Sequence, residues 1–330
     1  MPSWGEILTE LQPRPDPATG GLIPPDYDGV RHKYLERLQN RTGRSTVVYA
    51  TDWLSGAGGP AASILLQDMQ GLMETFRQLP GPKLDLILHS PGGSAEAAGS
   101  LVRYMRSKYT DVRVFVPLAA MSAATMWALA ADRLCMGKHS QLGPIDPQVP
   151  MGTNLVPASA LVRQFKRISD ECSGDPSRLS AWLPTLQQYW PGLLEICNDA
   201  DELGRSLVEQ WLKSYMFKDL EDPARSDKSR QVADYFASSE IHKSHSRSIN
   251  RDDAVAAGLV VENLEADQDL QDAVLSVHHA FMITLQATTA VKIIENNLGS
   301  KVVGHQQIAH MVVPQQIFPT PPQVVPPSGI

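Results

Sequence analysis

Ser122 is the residue in this sequence best placed to act as a nucleophile. It stands in Ala-Met-Ser-Ala-Ala-Thr, residues 120–125, where small side chains surround one hydroxyl at the start of an apolar helical run. This pattern is typical of a nucleophile elbow, a sharp turn that presents a serine at the N-terminus of a helix. The ordinary alternative is that Ser122 only caps that helix.

Two glycines upstream could supply the second part of such a site. A predicted buried strand over residues 84–88 leads into His-Ser-Pro-Gly-Gly-Ser, residues 89–94. Glycine lets the backbone turn so that its N–H groups can face a bound oxygen. The alternative is a tight turn in which Ser94 caps a helix over residues 95–108.

Four motifs follow one another at compatible spacing. They are His-Ser-Pro-Gly-Gly at 89–93, Ala-Met-Ser-Ala-Ala-Thr at 120–125, Ala-Ala-Asp at 130–132 and Leu-Gly-Pro-Ile-Asp-Pro-Gln at 142–148. Over roughly residues 45–150 the chain resembles the Clp protease/crotonase superfamily. Within it, the chain is most similar to the serine dehydrogenase proteinase family, which is related to signal peptide peptidase A. The resemblance implies an α/β fold, a Clp/crotonase-like stacked ββα spiral, with additional C-terminal helices.

The resemblance also implies a serine endopeptidase that forms an acyl-enzyme on Ser122. The N–H groups of Gly92, Gly93 and Ala123 would then form the oxyanion hole. Residues 123 and 124 are both alanine where the family usually has glycine. Alanine still provides a backbone N–H, so this difference narrows the predicted hole without removing it.

The general base is not determined by the sequence, and we rank Lys166 first. It lies on a predicted helix in the region where enzymes similar to signal peptide peptidase A supply a lysine. A lysine base needs desolvation that lowers its pKa, and the ordinary interpretation is an exposed helix lysine. Lys138, in a predicted exposed turn, is a weaker candidate.

Two other residues remain open as the base. His245 begins a stretch similar to a His-x-x-Pro-Ile pattern of the family, with Ser248 in place of the proline; the alternative is a surface histidine. Asp146 matches the aspartate of the family motif, although it could simply cap a proline-rich turn. His89, at the end of the buried strand, is predicted to be a hydrogen-bonded structural residue.

Two other functions remain open. One is a crotonase-like acyl-CoA enzyme, which also uses a backbone oxyanion hole but has no need of an elbow serine. The other is a catalytically inactive oligomeric scaffold of the same fold. The predicted substrate is a peptide or unfolded protein, the predicted assembly a homo-oligomer, and no cofactor is expected.

Composition narrows the function classes further. The chain has 330 residues, 42% of them hydrophobic, and a formal net charge of −7, which disfavours nucleic-acid binding. The three cysteines lie far apart and have no metal-ligand spacing, so we expect neither a disulfide framework nor a metal site. No signal-peptide pattern or apolar stretch of about 20 residues occurs. We therefore expect a cytoplasmic protein without a membrane span.

Proline content and apolar periodicity predict four regions. Residues 1–28 are predicted to be an extended proline-rich arm, and 29–265 the catalytic domain, with a charged mobile segment at 218–230. A helix over residues 270–297 dominates the third region, 266–300. It could pack against the protein's own domain or against a neighbouring subunit, and we favour the second. Residues 301–330 are predicted to be a disordered proline-rich tail.

Overall fold

The strands of the protein form one large sheet and three small ones. The computed structural model describes residues 3–56 and 58–306. Strands in this part of the chain are β1 (Arg14–Pro15), β2 (Leu22–Ile23), β3 (Ser45–Thr51), β4 (Lys83–His89), β5 (Asp111–Val116), β6 (Ala119–Ala120), β7 (Arg133–Met136), β8 (Gln141–Leu142), β9 (Gln148–Met151), β10 (Asn154–Pro157), β11 (Ile249–Asn250), β12 (Val261–Asn263), β13 (Ala290–Asn296) and β14 (Lys301–His305).

Helices connect these strands and cover the large sheet. Those in the described residues are α1 (Trp4–Glu10), α2 (Tyr27–Thr42), α3 (Asp68–Phe76), α4 (Ala95–Lys108), α5 (Ala123–Leu129), α6 (Ala158–Gly174), α7 (Leu179–Leu186), α8 (Leu193–Ser214), α9 (Ala224–Ala237), α10 (Ser239–His242), α11 (Arg251–Ala256) and α12 (Gln268–Ala287). Short 3₁₀ turns lie at Gly59–Ala62, Pro176–Arg178 and Leu264–Ala266. The helix predicted to begin at residue 95 is confirmed, with the Ser94 side chain as its N-cap.

The large sheet has the strand order β12-β7-β5-β4-β3-β13-β14. The five strands from β12 to β3 are parallel, and β13 is antiparallel to both of its neighbours. Parallel strands of this kind are covered by helices on both faces, which explains why β3 and β4 are buried along almost their whole length. The mixed α/β architecture with a mostly parallel central sheet agrees with the predicted fold class.

Alternate side chains of each strand enter two separate cores. Val47 and Leu86 pack on the face covered by α3, α4, α5 and α8. Val48 and Ile87 pack on the opposite face, which is covered by α2 and α12 and by Ile7 of α1. The period of two along each strand thus produces a three-layer α/β/α arrangement.

A small sheet of order β11-β8-β6 lies next to the C-terminal ends of the parallel strands of the large sheet. Strand β6 is parallel to β8, whereas β11 is antiparallel to β8. An isolated parallel bridge joins Ser90, directly after β4, to Ala120 of β6. The chain therefore passes from the large sheet into this second layer just before each predicted site motif.

The prediction of one C-terminal helix over residues 270–297 is wrong beyond residue 287. Helix α12 ends at Ala287, and the next residues form β13, which pairs with β3 and β14. The apolar spacing behind the prediction ends at Leu285, and the helix was extended from there to the next glycine, Gly299. Lys292 and Glu295 are buried in the strand and paired with opposite charges, so tertiary contacts decide its conformation.

Of the two alternatives for α12, the structure shows packing against the protein's own domain, the one that the sequence analysis favoured less. Its apolar side chains, including Val277 and Phe281, lie in the same core as Leu35 of α2. The boundary placed at residue 265 therefore falls inside one packed unit that includes the large sheet to β14. A long apolar helix face predicts that the helix is buried, but it does not identify the surface against which the helix packs.

The predicted N-terminal arm contains a packed helix. In α1, Ser3 and Glu6 form a capping box, and Ile7 is fully buried. The proline-rich residues that follow form only the exposed β1–β2 pair. This helix is too short to give a clear apolar periodicity, and the prolines that follow it led to the prediction of an extended arm.

Two further segments predicted to lack structure are ordered where they are described. Residues 224–230 of the segment predicted as mobile belong to α9, and Ser229 among them is fully buried. Residues 301–305 of the predicted tail form β14, and residues 307–330 lie outside the described residues. No helix between residues 3 and 306, residue 57 aside, is both long and apolar enough to cross a membrane.

Candidate active site

Ser122 lies on a turn with unusual backbone geometry between β6 and α5. Its φ is 51° and its ψ is −121°, and Lys243 is the only other non-glycine residue with positive φ in the described chain. Such a conformation costs about 1–3 kcal/mol unless the surroundings impose it. The Ser122 side chain makes no capping hydrogen bond to α5. The interpretation of Ser122 as an ordinary helix cap is therefore not supported.

Hydrogen bonds hold the turn in this strained conformation. Thr125 donates its Oγ1 hydrogen to the Ala120 carbonyl at 2.7 Å, and the same oxygen accepts from the Gly143 N–H at 2.9 Å. A Cβ atom on Gly143 would lie only 3.3 Å from the Ser122 nitrogen. The turn that follows β8 thus packs directly against the serine.

Gly92 is in direct contact with Ser122 and the first turn of α5. Its φ is 95°, and a Cβ atom there would lie 2.7 Å from Ser122 Cβ and 2.8 Å from the Ala123 nitrogen. A side chain at this position would therefore collide with backbone and Cβ atoms, which have little freedom to move. The glycine is required by this close approach.

Gly93 is placed by a bridge to Ile64. Ile64 donates its N–H to the Gly92 carbonyl at 2.7 Å, and its carbonyl accepts the Ser94 N–H at 3.1 Å. In a parallel bridge of this form, the N–H of the middle residue, Gly93, points away from the partner strand. A Cβ atom on Gly93 would lie 2.4 Å from the Ile64 oxygen.

Two backbone N–H groups near Ser122 are available for a ligand. Those of Gly93 and Ala123 donate to no acceptor within the described part of the chain. Two N–H groups aimed at one point can stabilise negative charge that develops on an oxygen. The Gly92 N–H, also predicted as a donor, instead donates to Ser90 Oγ at 3.2 Å.

His245 and Asp146 form a hydrogen-bonded pair. Nδ1 of His245 lies 2.8 Å from Oδ1 of Asp146, whose carboxylate is almost fully buried. The second oxygen of Asp146 accepts from Gln148 Nε2 at 3.0 Å. The bond at Nδ1 leaves Nε2 of His245 as the nitrogen that can exchange a proton with another group.

The small sheet brings Ser122, Asp146 and His245 to the same end of its strands. Because β6 and β8 are parallel, Ser122 and Asp146 both follow the same end of the sheet. Strand β11 is antiparallel to β8, so His245, which precedes β11, lies at that end as well. The parallel bridge between Ser90 and Ala120 adds the glycine pair to the same edge.

Neither candidate lysine is part of this arrangement. Lys166 is exposed on α6 and makes no hydrogen bond or ion pair to the residues the structure describes. Lys138 is also exposed, and within the described residues only its backbone N–H is engaged, with Glu265 Oε1 at 2.7 Å. A lysine base requires desolvation, and neither side chain is desolvated.

His89 does not brace the glycine turn by hydrogen bonds as predicted. Its ring is 1% exposed, and neither ring nitrogen has a hydrogen-bond partner in the described chain. Burial lowers the pKa of His89 to about 4, so the ring is neutral at pH 7. It packs instead against the rings of Trp53 and His278, at centroid distances of 5.8 and 5.2 Å.

Within residues 3–56 and 58–306, no cluster of three or more histidine, cysteine, aspartate or glutamate side chains is arranged to hold a metal ion. His245 and Asp146 form only a pair.

Comparison with known proteins identifies the family of the region that carries these groups. Residues 30–178 match the family of ClpP-like SDH-type serine proteinases. The resemblance predicted from the sequence motifs is thereby confirmed. The ClpP-like region contains the glycine pair, Ser122 and Asp146, whereas His245 lies outside the matched residues.

Two archaeal proteins are similar to this chain. The uncharacterized protein MJ0137 of Methanocaldococcus jannaschii is 28% identical over 199 residues, which cover 56% of this chain and 68% of that protein. The uncharacterized protein MJ1495 of the same organism is 28% identical over 152 residues, covering 43% of this chain and 52% of that protein. The chain thus spans about half the length of the second relative.

Proposed function

We propose that this protein is a serine peptidase that cleaves peptide bonds through an acyl-enzyme on Ser122. The observation that carries this proposal is the strained turn at Ser122, held against Gly92 on the sheet edge that also bears His245 and Asp146. Strain of this size is retained at sites where a side chain must be presented in one orientation. The serine proteinase family of the ClpP-like region supports the same assignment.

In the first half of the reaction, Nε2 of His245 accepts the proton of the Ser122 hydroxyl as Oγ attacks the peptide carbonyl carbon. Asp146 holds the imidazole by its Nδ1 hydrogen and stabilises the positive charge that the ring acquires. The carbonyl oxygen becomes negative and accepts hydrogen bonds from the N–H groups of Gly93 and Ala123.

The intermediate then collapses, the C–N bond breaks, and the imidazolium gives its proton to the leaving amine. Water attacks the resulting ester as His245 accepts one of its protons. The imidazolium then returns a proton to Ser122 Oγ as the ester C–O bond breaks, and the carboxylic acid product leaves. This mechanism replaces Lys166, our first candidate from the sequence, with His245 as the base.

The two other functions receive less support. A crotonase-like acyl-CoA enzyme uses backbone N–H groups but gains nothing from a strained serine beside them. An inactive scaffold has no use for a serine turn that lowers its stability. The His245–Asp146 hydrogen bond also suits proton transfer, which an inactive scaffold does not require.

We also propose that the domain is a stacked spiral of ββα units. Strand β5 enters the large sheet, β6 enters the small sheet and α5 follows, which is one such unit. The homo-oligomer predicted from the family resemblance stays a proposal, and sedimentation velocity of the purified chain tests it.

Labelling with a fluorophosphonate tests the peptidase proposal. The reagent phosphonylates an activated serine, and mass spectrometry of the digested protein identifies the modified residue. We expect one modified site, Ser122, in the native chain, and no labelling or casein hydrolysis in Ser122→Ala. Ser206→Ala, an exposed serine on α8, serves as the matched control and should label normally. Labelling that persists in Ser122→Ala would overturn the proposal.

A further inference from the structure

A buried lysine on β13 joins the large sheet to the segment beside the glycine pair. Lys292 is 6% exposed, and its Nζ lies 2.7 and 2.9 Å from the two carboxylate oxygens of Asp68. The same ammonium donates to the Ser63 carbonyl at 2.7 Å. All three acceptor oxygens belong to residues 63–68, the short stretch of chain that leads into α3.

Asp68 also accepts hydrogen bonds from the backbone of this stretch and from β3. Its Oδ2 accepts the Leu65 N–H at 2.9 Å and the Tyr49 hydroxyl at 2.7 Å. The Lys292–Asp68 pair therefore fixes two backbone groups by hydrogen bonds, the carbonyl of Ser63 and the N–H of Leu65. These are the two neighbours of Ile64, the residue that bridges to Gly93.

Ile64 passes this constraint to the glycine pair. Its N–H and carbonyl bind Gly92 and Ser94, and through them fix the peptide plane that carries the Gly93 N–H. Directly before Ser63 the chain forms only one 3₁₀ turn, Gly59–Ala62, which offers less rigidity than a longer helix or a strand in a sheet. Side chains from β13 and α3 provide it.

We infer that Lys292 and Asp68 are positioning residues that fix the Gly93 N–H for oxyanion binding through the Ser63–Ile64–Leu65 backbone. This inference rests on the proposed peptidase function. A buried ion pair contributes little net stability compared with apolar side chains of similar size, so stability alone does not account for it. Misplacement of a reacting group by about 1 Å can lower a rate about 100-fold, so such control of geometry matters for catalysis.

The test is the double variant Lys292→Met/Asp68→Asn. It removes both charges and keeps similar side-chain volumes, whereas Lys292→Met alone would leave a buried, unpaired carboxylate that could unfold the protein. We expect kcat for a fluorogenic peptide to fall about 10- to 100-fold. KM should stay within about twofold, because the oxyanion forms only after the substrate has bound, in the tetrahedral transition state and intermediate. The affinity for a peptide aldehyde, which forms the tetrahedral adduct, should fall in parallel with kcat.

A second buried ion pair on the same strand provides a matched control. Arg31 Nε lies 2.6 Å from Glu295 Oε2, both side chains are almost fully buried, and Glu295 is three residues from Lys292 on the opposite face of β13. The variant Arg31→Met/Glu295→Gln should change stability without changing kcat. An equal fall of kcat in both double variants would overturn the inference.

Hydrogen exchange separates this inference from the proposed function. In Lys292→Met/Asp68→Asn, the Ile64 and Ser94 amides should exchange faster, because the bridge that protects them is no longer held. Unchanged protection of these amides overturns the positioning role whatever the catalytic result. Failure of the native chain to react with a fluorophosphonate instead overturns the peptidase assignment.

Discussion

Nδ1 of His245 lies 2.8 Å from Oδ1 of Asp146, although 99 positions separate the two residues in the chain. Their contact depends on the pairing of β11 with β8, which brings the segment before β11 to the turn after β8. The residue proposed as the base is therefore oriented by a long-range strand pairing. No local segment of the ClpP-like region could assemble it alone.

Asp146→Asn should lower kcat for a peptide substrate by about 10²- to 10⁴-fold, because the amide neither fixes the imidazole tautomer nor stabilises its positive charge. The free energy of unfolding should change far less. Steady-state kinetics and urea unfolding of the purified variant measure both. Gln148→Leu, which removes only the donor to Oδ2, is the milder control, and native activity in the Asp146→Asn enzyme would contradict the mechanism.

His245→Ala and Lys166→Ala separate the two candidate bases. Loss of the proton acceptor should lower kcat about 10²- to 10⁴-fold in His245→Ala, and Lys166→Ala should retain native activity because its side chain is exposed. Fluorophosphonate labelling rates of the two variants, measured side by side, give the comparison. The opposite result would restore the lysine mechanism predicted from the sequence.

Gly92→Ala should abolish hydrolysis. The added methyl group would lie 2.7 Å from Ser122 Cβ and 2.8 Å from the Ala123 nitrogen, so the elbow must shift. Gly152→Ala is a matched control, because Gly152 also has positive φ, 63°, but has no atom within 4 Å of the added Cβ. Both variants carry backbone strain, and only Gly92→Ala should lose activity in a peptide assay. Equal activities would show that the close approach at Gly92 is not needed.

Ser122→Gly should stabilise the protein while inactivating it. Glycine adopts positive φ without steric cost, so relief of the strain at φ 51° should raise the free energy of unfolding by about 1 kcal/mol. Ser94→Gly, at an ordinary φ of −71°, should instead lower it slightly. Chemical denaturation of both variants at pH 7 provides the values. A destabilised Ser122→Gly protein would argue against stored strain at the elbow.

Acid should destabilise the protein through His89. Its pKa is about 4 when folded and near the ordinary 6.5 when unfolded, so between these values the unfolded chain binds more protons. The contribution of neutral, buried His89 to the free energy of unfolding is therefore fully present above pH 6.5. It is lost as the pH drops towards 4, which lowers the free energy of unfolding by roughly 3 kcal/mol. His89→Leu should reduce this loss in urea unfolding at pH 7 and pH 4.5. His139→Gln, a change at an exposed histidine, should leave it unchanged.

The local elements of the fold were predictable from the sequence. Buried parallel strands such as 84–88 appear as apolar runs, and the cap at Ser94 has a clear local signal. The match of residues 30–178 to a serine proteinase family confirmed the resemblance that the four motifs indicated. These features depend on neighbours in the chain, which is why the sequence shows them.

The arrangement of the candidate site was only partly predictable. His245 and Asp146 were separate candidates, and no spacing rule indicates a contact across so many residues. The strand at Ala290–Asn296 was mistaken for helix because its conformation depends on burial of two charged side chains by partners from α2 and α3. The role of Ile64, an ordinary apolar residue, has no sequence signal at all.

Strand β13 is made late by the ribosome, yet it lies inside the sheet between β3 and β14. A growing chain that has emerged only through α12 already contains Ser122, Asp146 and His245. It lacks Lys292, and β3 still has an unpaired edge. On the positioning role inferred for Lys292, full peptidase activity requires that this strand be inserted, so an incomplete nascent chain would cleave its neighbours more slowly than the finished protein.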